Sequence, residues 1–462
     1  VKVMHGLGVQ PILLWSDLLI YTLLCVGGLW FALALRREYW RVALRQIASN
    51  RVAMLSFAIL CLYGAVGFLD TLHFRVTASS SPTAGRIQSV LDLICTSLIA
   101  RTEKTYSAPF ATHLYTKETL LTPDGRQVRD YPRLQYAGSH LGESHERWPD
   151  IWERLATGLG WGLGIGAVLL LGLLGLRAWW CWHTPPPEPA PLARWTRGGL
   201  WTVGVLTTVA FLVVEVIVLT AGYHVLGTDK AGQDVLYLAL KSIRTGVIIG
   251  TLTTLIVTPF ALFFGVLAGY FGGVVDDVVQ YVYTTLSSIP DILLIAAAML
   301  ILQVGLTAKD TTLSADERLV YLCIIMGITS WTELCRLLRA EVLKLREVEY
   351  IQAADAFGVA RLTIILRHLV PNVMHIVLIS VILRFSGLVL AEAVLAYVGI
   401  GVDPSMQSWG NMINQARLEL ARDPIVWWNL CAALVFTLGL VLPANVFGDA
   451  VRDALDPRLR TW

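Results

Sequence analysis

Residues 246–270 read GVIIGTLTTLIVTPFALFFGVLAGY and contain no charged side chain. A bilayer core needs about 20 apolar residues per helix, so this stretch reads as a transmembrane span. Outward from it, further stretches qualify near 12–35, 51–70, 156–180, 198–222, 279–304, 319–340, 372–398 and 425–448. The stretch at 279–304 is the least clean, because Pro290 and Asp291 interrupt it. Composition agrees: 55% of residues are hydrophobic and only 15% charged, against about 25% charged in soluble proteins. The expected fold is an all-α polytopic membrane protein of about nine transmembrane helices. A net charge of +2 gives no basis for a nucleic-acid partner. Cys25, Cys61, Cys95, Cys181, Cys323, Cys335 and Cys431 are scattered with no CxxC pair, a pattern that supports neither a disulfide framework nor a zinc site.

The first span lacks a basic n-region and a small-residue cleavage site, so it reads as retained. Lys and Arg in short loops set the orientation. Arg36, Arg37, Arg41, Arg45 and Arg51 follow span one; Arg177, Arg194 and Arg197 follow span three; Lys344, Arg346, Arg361 and Arg367 follow span seven. With nine spans all these loops face the cytoplasm, as does the tail with Arg452, Arg458 and Arg460, and the N-terminus lies outside. Residues 71–155 form the one sizeable polar region, with a turn signal at Pro123-Asp124-Gly125, and read as an external insert. TPPPEPAP at 184–191 reads as a stiff polyproline spacer. The domain division is therefore 1–70, two spans with a basic loop; 71–155, the insert; 156–226, two spans joined by the Pro-rich linker; and 227–462, the remaining core.

Between spans seven and eight lies EYIQAADAFGVARLTIILRHLVP, residues 349–371. Residues 349–357 read as a short helix in which Ala353 and Ala354 make a small, flat face. Gly358 ends it as a helix C-cap glycine does. Residues 360–369 read as a second short helix, and Pro371 marks the start of the next span. Small residues here would let another protein's backbone approach closely.

This stretch resembles the EAA loop of ABC-transporter permeases, the membrane subunits of binding-protein-dependent importers. Gln352, Ala353, Ala354, Gly358 and Pro371 fall at the family spacings, with Gln352 in place of Glu and His368 in place of Ile. Glu349-Tyr350 and Arg367-His368-x-x-Pro371-Asn372 look like the version found in dipeptide, oligopeptide and nickel permeases. Gly227-Thr228-Asp229-x-x-Gly232-Gln233-Asp234-Val235 resembles the GTDxxGRDV signature of that subfamily. EAVLAYVGIG from Glu392 to Gly401, followed by Ser408-Trp409-Gly410, resembles its EAxLSFLGLG…SWG run, and Gly448 to Arg458 resembles its GDxLRDxLDPR ending. The likeness covers about residues 224–460 and touches 40–70. Residues 1–35 and 71–200 depart from the usual short permease.

The resemblance implies a type I importer permease core and a division of labour. No G-x-x-x-x-G-K-[ST] occurs, so the chain binds no ATP phosphates in a P-loop. It is expected to be no enzyme and to hold no cofactor. Two cytoplasmic ABC ATPase subunits would use ATP and Mg, and the 349–357 helix would sit in a groove on one of them. A homologous second permease would complete the pore, and an external substrate-binding protein would dock on outer loops including 402–424. The cargo implied is di- or oligopeptide, with nickel or another small solute as the alternative. An ion-coupled secondary transporter ranks below both, because no inverted repeat is visible. A membrane enzyme ranks last, since no HExxH or GxSxG occurs.

Remaining candidates are weaker. Glu392 and Glu215 lie in apolar spans, where carboxylates are functional by default; Glu392 lines the pore or holds the fold, and Glu215 reads as structural. His368 and His375 share a helix face without a third ligand, so no metal site is expected. Gly162/Gly166, Gly246/Gly250 and Gly265/Gly269 read as close helix packing. Asp229 can be read simply as part of a turn that caps the stretch 234–244.

Overall fold

The computed structural model describes residues 9–34, 36, 38–76, 87–121, 127–142, 146–183, 192–307 and 314–455. The Pro-rich spacer, the turn at Pro123 and the tail from residue 456 lie outside the described residues. The rest forms two compact units, one built on 45–243 and 415–439, the other on 10–44, 244–414 and the chain from Leu440 on.

Among the described residues, five helices are long and apolar enough to cross a membrane: Arg51–Thr71, Val235–Phe271, Ala315–Arg346, Arg361–Tyr397 and Trp428–Leu455. A bent pair, Gly273–Ser287 with Asp291–Gly305, brings the number to six if it counts as one span. The stretches expected at 12–35, 156–180 and 198–222 are helical as well, within Trp15–Ala34, Arg147–His183 and Leu192–Thr220. The span expected at 279–304, interrupted at Pro290 and Asp291, is a bent pair whose halves meet at 85°. Pro290 has no N–H to donate and disfavours helical backbone in the residue before it, so the break falls there. The span expected from 246 begins at Val235 and runs unbroken to Phe271.

In the first unit, Asn50 caps Arg51–Thr71 by accepting from Val52 and Ala53. The polar insert carries an antiparallel pair, His73–Val76 with Ile87–Ser89, two short helices, Val90–Ile94 and Thr96–Ala100, and a hairpin, Glu118–Leu121 with Gln127–Asp130. Ser89 and Asp92 form a capping box. Lys241 then binds Asp92 and Asp70, which fastens the insert to two spans. Helices Arg147–His183 and Leu192–Thr220 pack closely through a glycine row. A Cβ at Gly162 would stand 2.5 Å from Phe211, one at Gly166 2.3 Å from Thr207, and one at Gly158 1.8 Å from the Glu215 carboxylate. Glu215 thus lies against the neighbouring helix.

The second unit repeats this device. Gly265 and Gly269 meet Leu338 and Val342, Gly246 meets Trp409, and Gly250 meets Phe385, each within 3 Å of a built Cβ. The expected glycine contacts are present at all three pairs. One apolar core gathers Val257, Trp331, Leu338, Ile351, Leu369 and Val373; a second gathers Ile249, Leu252, Leu322, Met326 and Leu395. The N-terminal helix is tied in by charge. Arg244 binds Asp17 at 2.7 Å, and Ser16 bonds both Arg244 and Asp316. Each of these side chains is buried, and a buried charge requires such partners.

Candidate functional site

The first short helix of the EAA-like loop spans Glu349–Ala356. Ile351, 2% exposed, anchors it on the core, and Ala354 and Val359 pack against the same cluster. This corrects the flat face expected from Ala353 and Ala354 together. Ala354 turns inward, while Gln352, Ala353 and Ala356 are exposed. Positions three and four apart share a helix face, so the outward face is Glu349, Gln352, Ala353 and Ala356. Gly358 has φ +74°, the left-handed conformation that lets the chain leave the helix. Gly358 N–H donates to the Asp355 carbonyl and Val359 N–H to the Ala354 carbonyl, a Schellman stop.

Beyond the stop, the second short helix is not separate. Arg361–Ile364 passes through a π-turn, Ile365–Leu369, into Val370–Tyr397. Pro371 cannot donate to the Arg367 carbonyl, and its ring crowds that turn; a widened turn accommodates both effects. Arg367 and Pro371 are exposed and His368 is half-buried. Asn372 donates to the Tyr350 hydroxyl at 2.8 Å, and the Tyr350 and His368 rings lie 6.0 Å apart. The two ends of the motif therefore touch. Gln352 donates to Glu347 at 3.3 Å, where a Glu in its place would meet a like charge. A cleft of about 300 Å³ beneath the helix is lined by Tyr270, Arg346, Gln352, Asp355 and Arg361 among others.

Sequence reasoning missed the apolar part of this surface. Phe357 is 86% exposed, and Leu362 and Leu366 are also exposed. The available signal was a large apolar residue at the helix stop.

The turn Gly227–Asp234 lies in the first unit. Gly227 and Gly232 have φ of +73° and +75°. Thr228 Oγ1 accepts from Ser107 N–H and donates to the Thr105 carbonyl. Asp229 accepts from the N–H groups of Ala231 and Gln233. Asp234 accepts from Leu236 N–H, which caps the span that starts at Val235. Its other oxygen binds His224 Nδ1 at 2.6 Å, and His224 Nε2 faces Glu103 Oε1 at 3.8 Å. Glu103 in turn accepts backbone N–H bonds from Gln135, Tyr136 and Ala137. Burial pulls the imidazole pKa down, but the hydrogen bonds and charges of Asp234 and Glu103 outweigh it and hold His224 up at about 9. Trp428 closes the turn: its Nε1 donates to the Thr228 carbonyl, and its ring lies 4.8 Å from that of Tyr115. Glu103, His224 and Trp428 were not among the expected site residues. Their pairing crosses long stretches of chain and leaves no local pattern.

Glu392 is buried in the second unit, 3% exposed. Hydrogen bonds reach it from the Ser408 hydroxyl and Gly410 N–H.

Residues 261–461 match the family described as the binding-protein-dependent transport system inner membrane component. The oligopeptide transport system permease protein OppC of Haemophilus influenzae is 31% identical over 239 residues, 52% of this chain and 72% of that protein. OppC of Mycobacterium tuberculosis is 34% identical over 238 residues, with 52% and 77% covered. The dipeptide transport system permease protein DppC of Bacillus subtilis is 28% identical over 237 residues, with 51% and 69% covered. Members of this family work in transporter complexes with other subunits, and the apolar helices suit a multi-pass inner-membrane protein. The chain belongs to the family of membrane permease components of binding-protein-dependent ABC transport systems.

Proposed function

We propose that the chain is one permease subunit of an ABC importer for di- or oligopeptides. A second, homologous permease supplies the other half of the pore. Two cytoplasmic ABC ATPases bind ATP and Mg and carry out the hydrolysis, and an external substrate-binding protein delivers solute. This chain performs no covalent chemistry of its own. The observation that carries the reading is the helix Glu349–Ala356, whose small residues Ala353 and Ala356 face outward beside exposed Phe357, between two helices long enough to span a membrane. An apolar patch on a loop of a membrane protein fits a docking surface for another protein. Similarity to peptide-transport permeases supports the cargo class.

In this reading 341–371 and the C-terminal tail face the cytoplasm, and the turn Gly227–Asp234 and the insert 71–155 face outside. ATP-driven closure of the ATPases displaces the coupling helix, and the span Arg361–Tyr397 carries that displacement into the membrane. The test is co-expression with P-loop ATPases and a second permease encoded beside it, followed by purification, identification of bound solute by mass spectrometry, and uptake in vesicles. ATP-dependent peptide uptake supports the assignment. Uptake that ignores ATP and collapses with a protonophore would assign an ion-coupled transporter instead. Cysteine labelling checks the orientation: an impermeant reagent should reach residue 120 and not residue 190.

A further inference from the structure

We propose that Glu392 is a positioning residue, which locks the fold-back segment 399–414 onto the span that carries the coupling loop at its other end. The span Arg361–Tyr397 has 37 residues, about 55 Å of helix at 1.5 Å per residue, more than a bilayer core. It ends in a second Schellman stop. Gly399 has φ +85°, Gly399 N–H donates to the Ala396 carbonyl, and Ile400 N–H donates to the Leu395 carbonyl. The chain then turns back over the face it has just left. A Cβ at Gly401 would stand 2.6 Å from Ala396 Cα, and one at Gly410 would stand 2.5 Å from Ala396 Cβ and 2.9 Å from Glu392 Oε1.

At that contact Glu392 acts as a helix cap supplied from another helix. The helix Trp409–Leu420 starts at Ser408, whose Oγ accepts from Asn411 N–H. The Ser408 hydroxyl and Gly410 N–H both reach the Glu392 carboxyl. A carboxyl group suits the free N–H groups at a helix start. The returning segment is held from a second side as well. Thr245 Oγ1 donates to the Gln407 carbonyl at 2.7 Å, and Trp409, 2% exposed, lies against Gly246. Within the segment, Asn411 Nδ2 donates to the carbonyls of Asp403 and Met406. Glu392 Oε1 has no hydrogen-bond partner among the described residues, although it is buried.

The same three motif residues, Glu392, Ser408 and Gly410, are thus one device. It makes 399–414 move with the span, so a displacement at 349–371 would reach the far end of that span without slack. This step rests on the permease reading, and the experiment separates the two. Amide hydrogen exchange is followed in the assembled transporter carrying E392A, E392Q or S408A, together with ATPase activity before and after adding trialanine and the binding protein. Loss of the two hydrogen bonds should speed exchange at Gly410 and Met412 about 10- to 100-fold in E392A. E392Q keeps an acceptor for both donors and should stay near wild type. Basal ATPase activity should persist in E392A while the solute-stimulated part falls. If E392A does not assemble, S408A, which removes the hydroxyl's bonds to Glu392 and to Asn411 N–H, should still speed exchange at Asn411 and Met412. Unchanged exchange in both variants overturns the lock. Faster exchange with full stimulation overturns the transmission. A wild-type complex with no stimulation overturns the permease reading, and the exchange data still judge the lock.

Discussion

Gly232→Ala would test whether the polar insert is part of the turn Gly227–Asp234. A Cβ on Gly232 would stand 1.8 Å from the Glu103 carbonyl oxygen and 2.5 Å from its carbon, both backbone atoms. Relief requires the two segments to separate. That breaks the hydrogen bond from Glu103 N–H to the Gly232 carbonyl, 2.9 Å long, at about 1 kcal/mol net. It also draws Glu103 away from buried His224, which keeps its bond to Asp234. Holding alanine at φ +75° adds roughly 1–2 kcal/mol. Together these are about 2–3 kcal/mol, set against the about 5–15 kcal/mol that stabilises a typical domain. Gly358→Ala is the control, because φ is +74° there but no atom lies within 4 Å of the built Cβ. The assay is thermal melting and limited trypsin digestion of the purified subunit. Gly232→Ala should melt well below wild type and be cut at Arg101 or Arg133 early, while Gly358→Ala should lose only the conformational cost. If Gly232→Ala melts with wild type and resists trypsin equally, the insert does not depend on this contact and the reasoning fails.

Titration of His224 gives a second prediction. Its folded pKa of about 9 lies above the ordinary 6.5, so its contribution is fully present below pH 6.5 and lost as pH rises through 9; the gap corresponds to roughly 3 kcal/mol. Melting curves between pH 6 and 10 should show that loss in wild type and a flatter profile in His224→Gln. At the coupling helix, Ala354→Glu would force a charge against the apolar core and lower subunit stability by about 1–3 kcal/mol, whereas Ala353→Glu should leave melting unchanged and weaken co-purification of the ATPases. Phe357→Glu removes the largest exposed apolar group of that loop; abundance should hold and ATPase recovery should fall, and equal recovery would place the docking surface elsewhere. Gly358→Asn should be milder than Gly358→Val in melting, because Asn visits the left-handed region and a β-branched residue does not.

Much of the fold and part of the site were legible in the chain itself, where the cause is local. Spans declare themselves because lipid demands long apolar helices, and residues 246–270 meet that demand without any partner. Gly358 is readable as a helix stop and Asp234 as a cap, since each acts on backbone groups within a few residues. The glycine pairs at 162/166, 246/250 and 265/269 announce close packing, though not what they pack against. Tertiary structure decided the rest. It turned Ala354 inward and left Ala353 and Phe357 outward, because helix phase is set by what Ile351 anchors to. It broke the span at Pro290 into a sharp bend, where the proline marks a weak point but cannot state an angle. It also brought Glu103 to His224, and Ser408 and Gly410 to Glu392. Glu103 and His224 are distant in the chain, and a buried charge is satisfied by whichever partner folding delivers, so no local pattern of residues records that contact; the run from Glu392 to Gly410 is visible in the sequence, but not that its two ends meet.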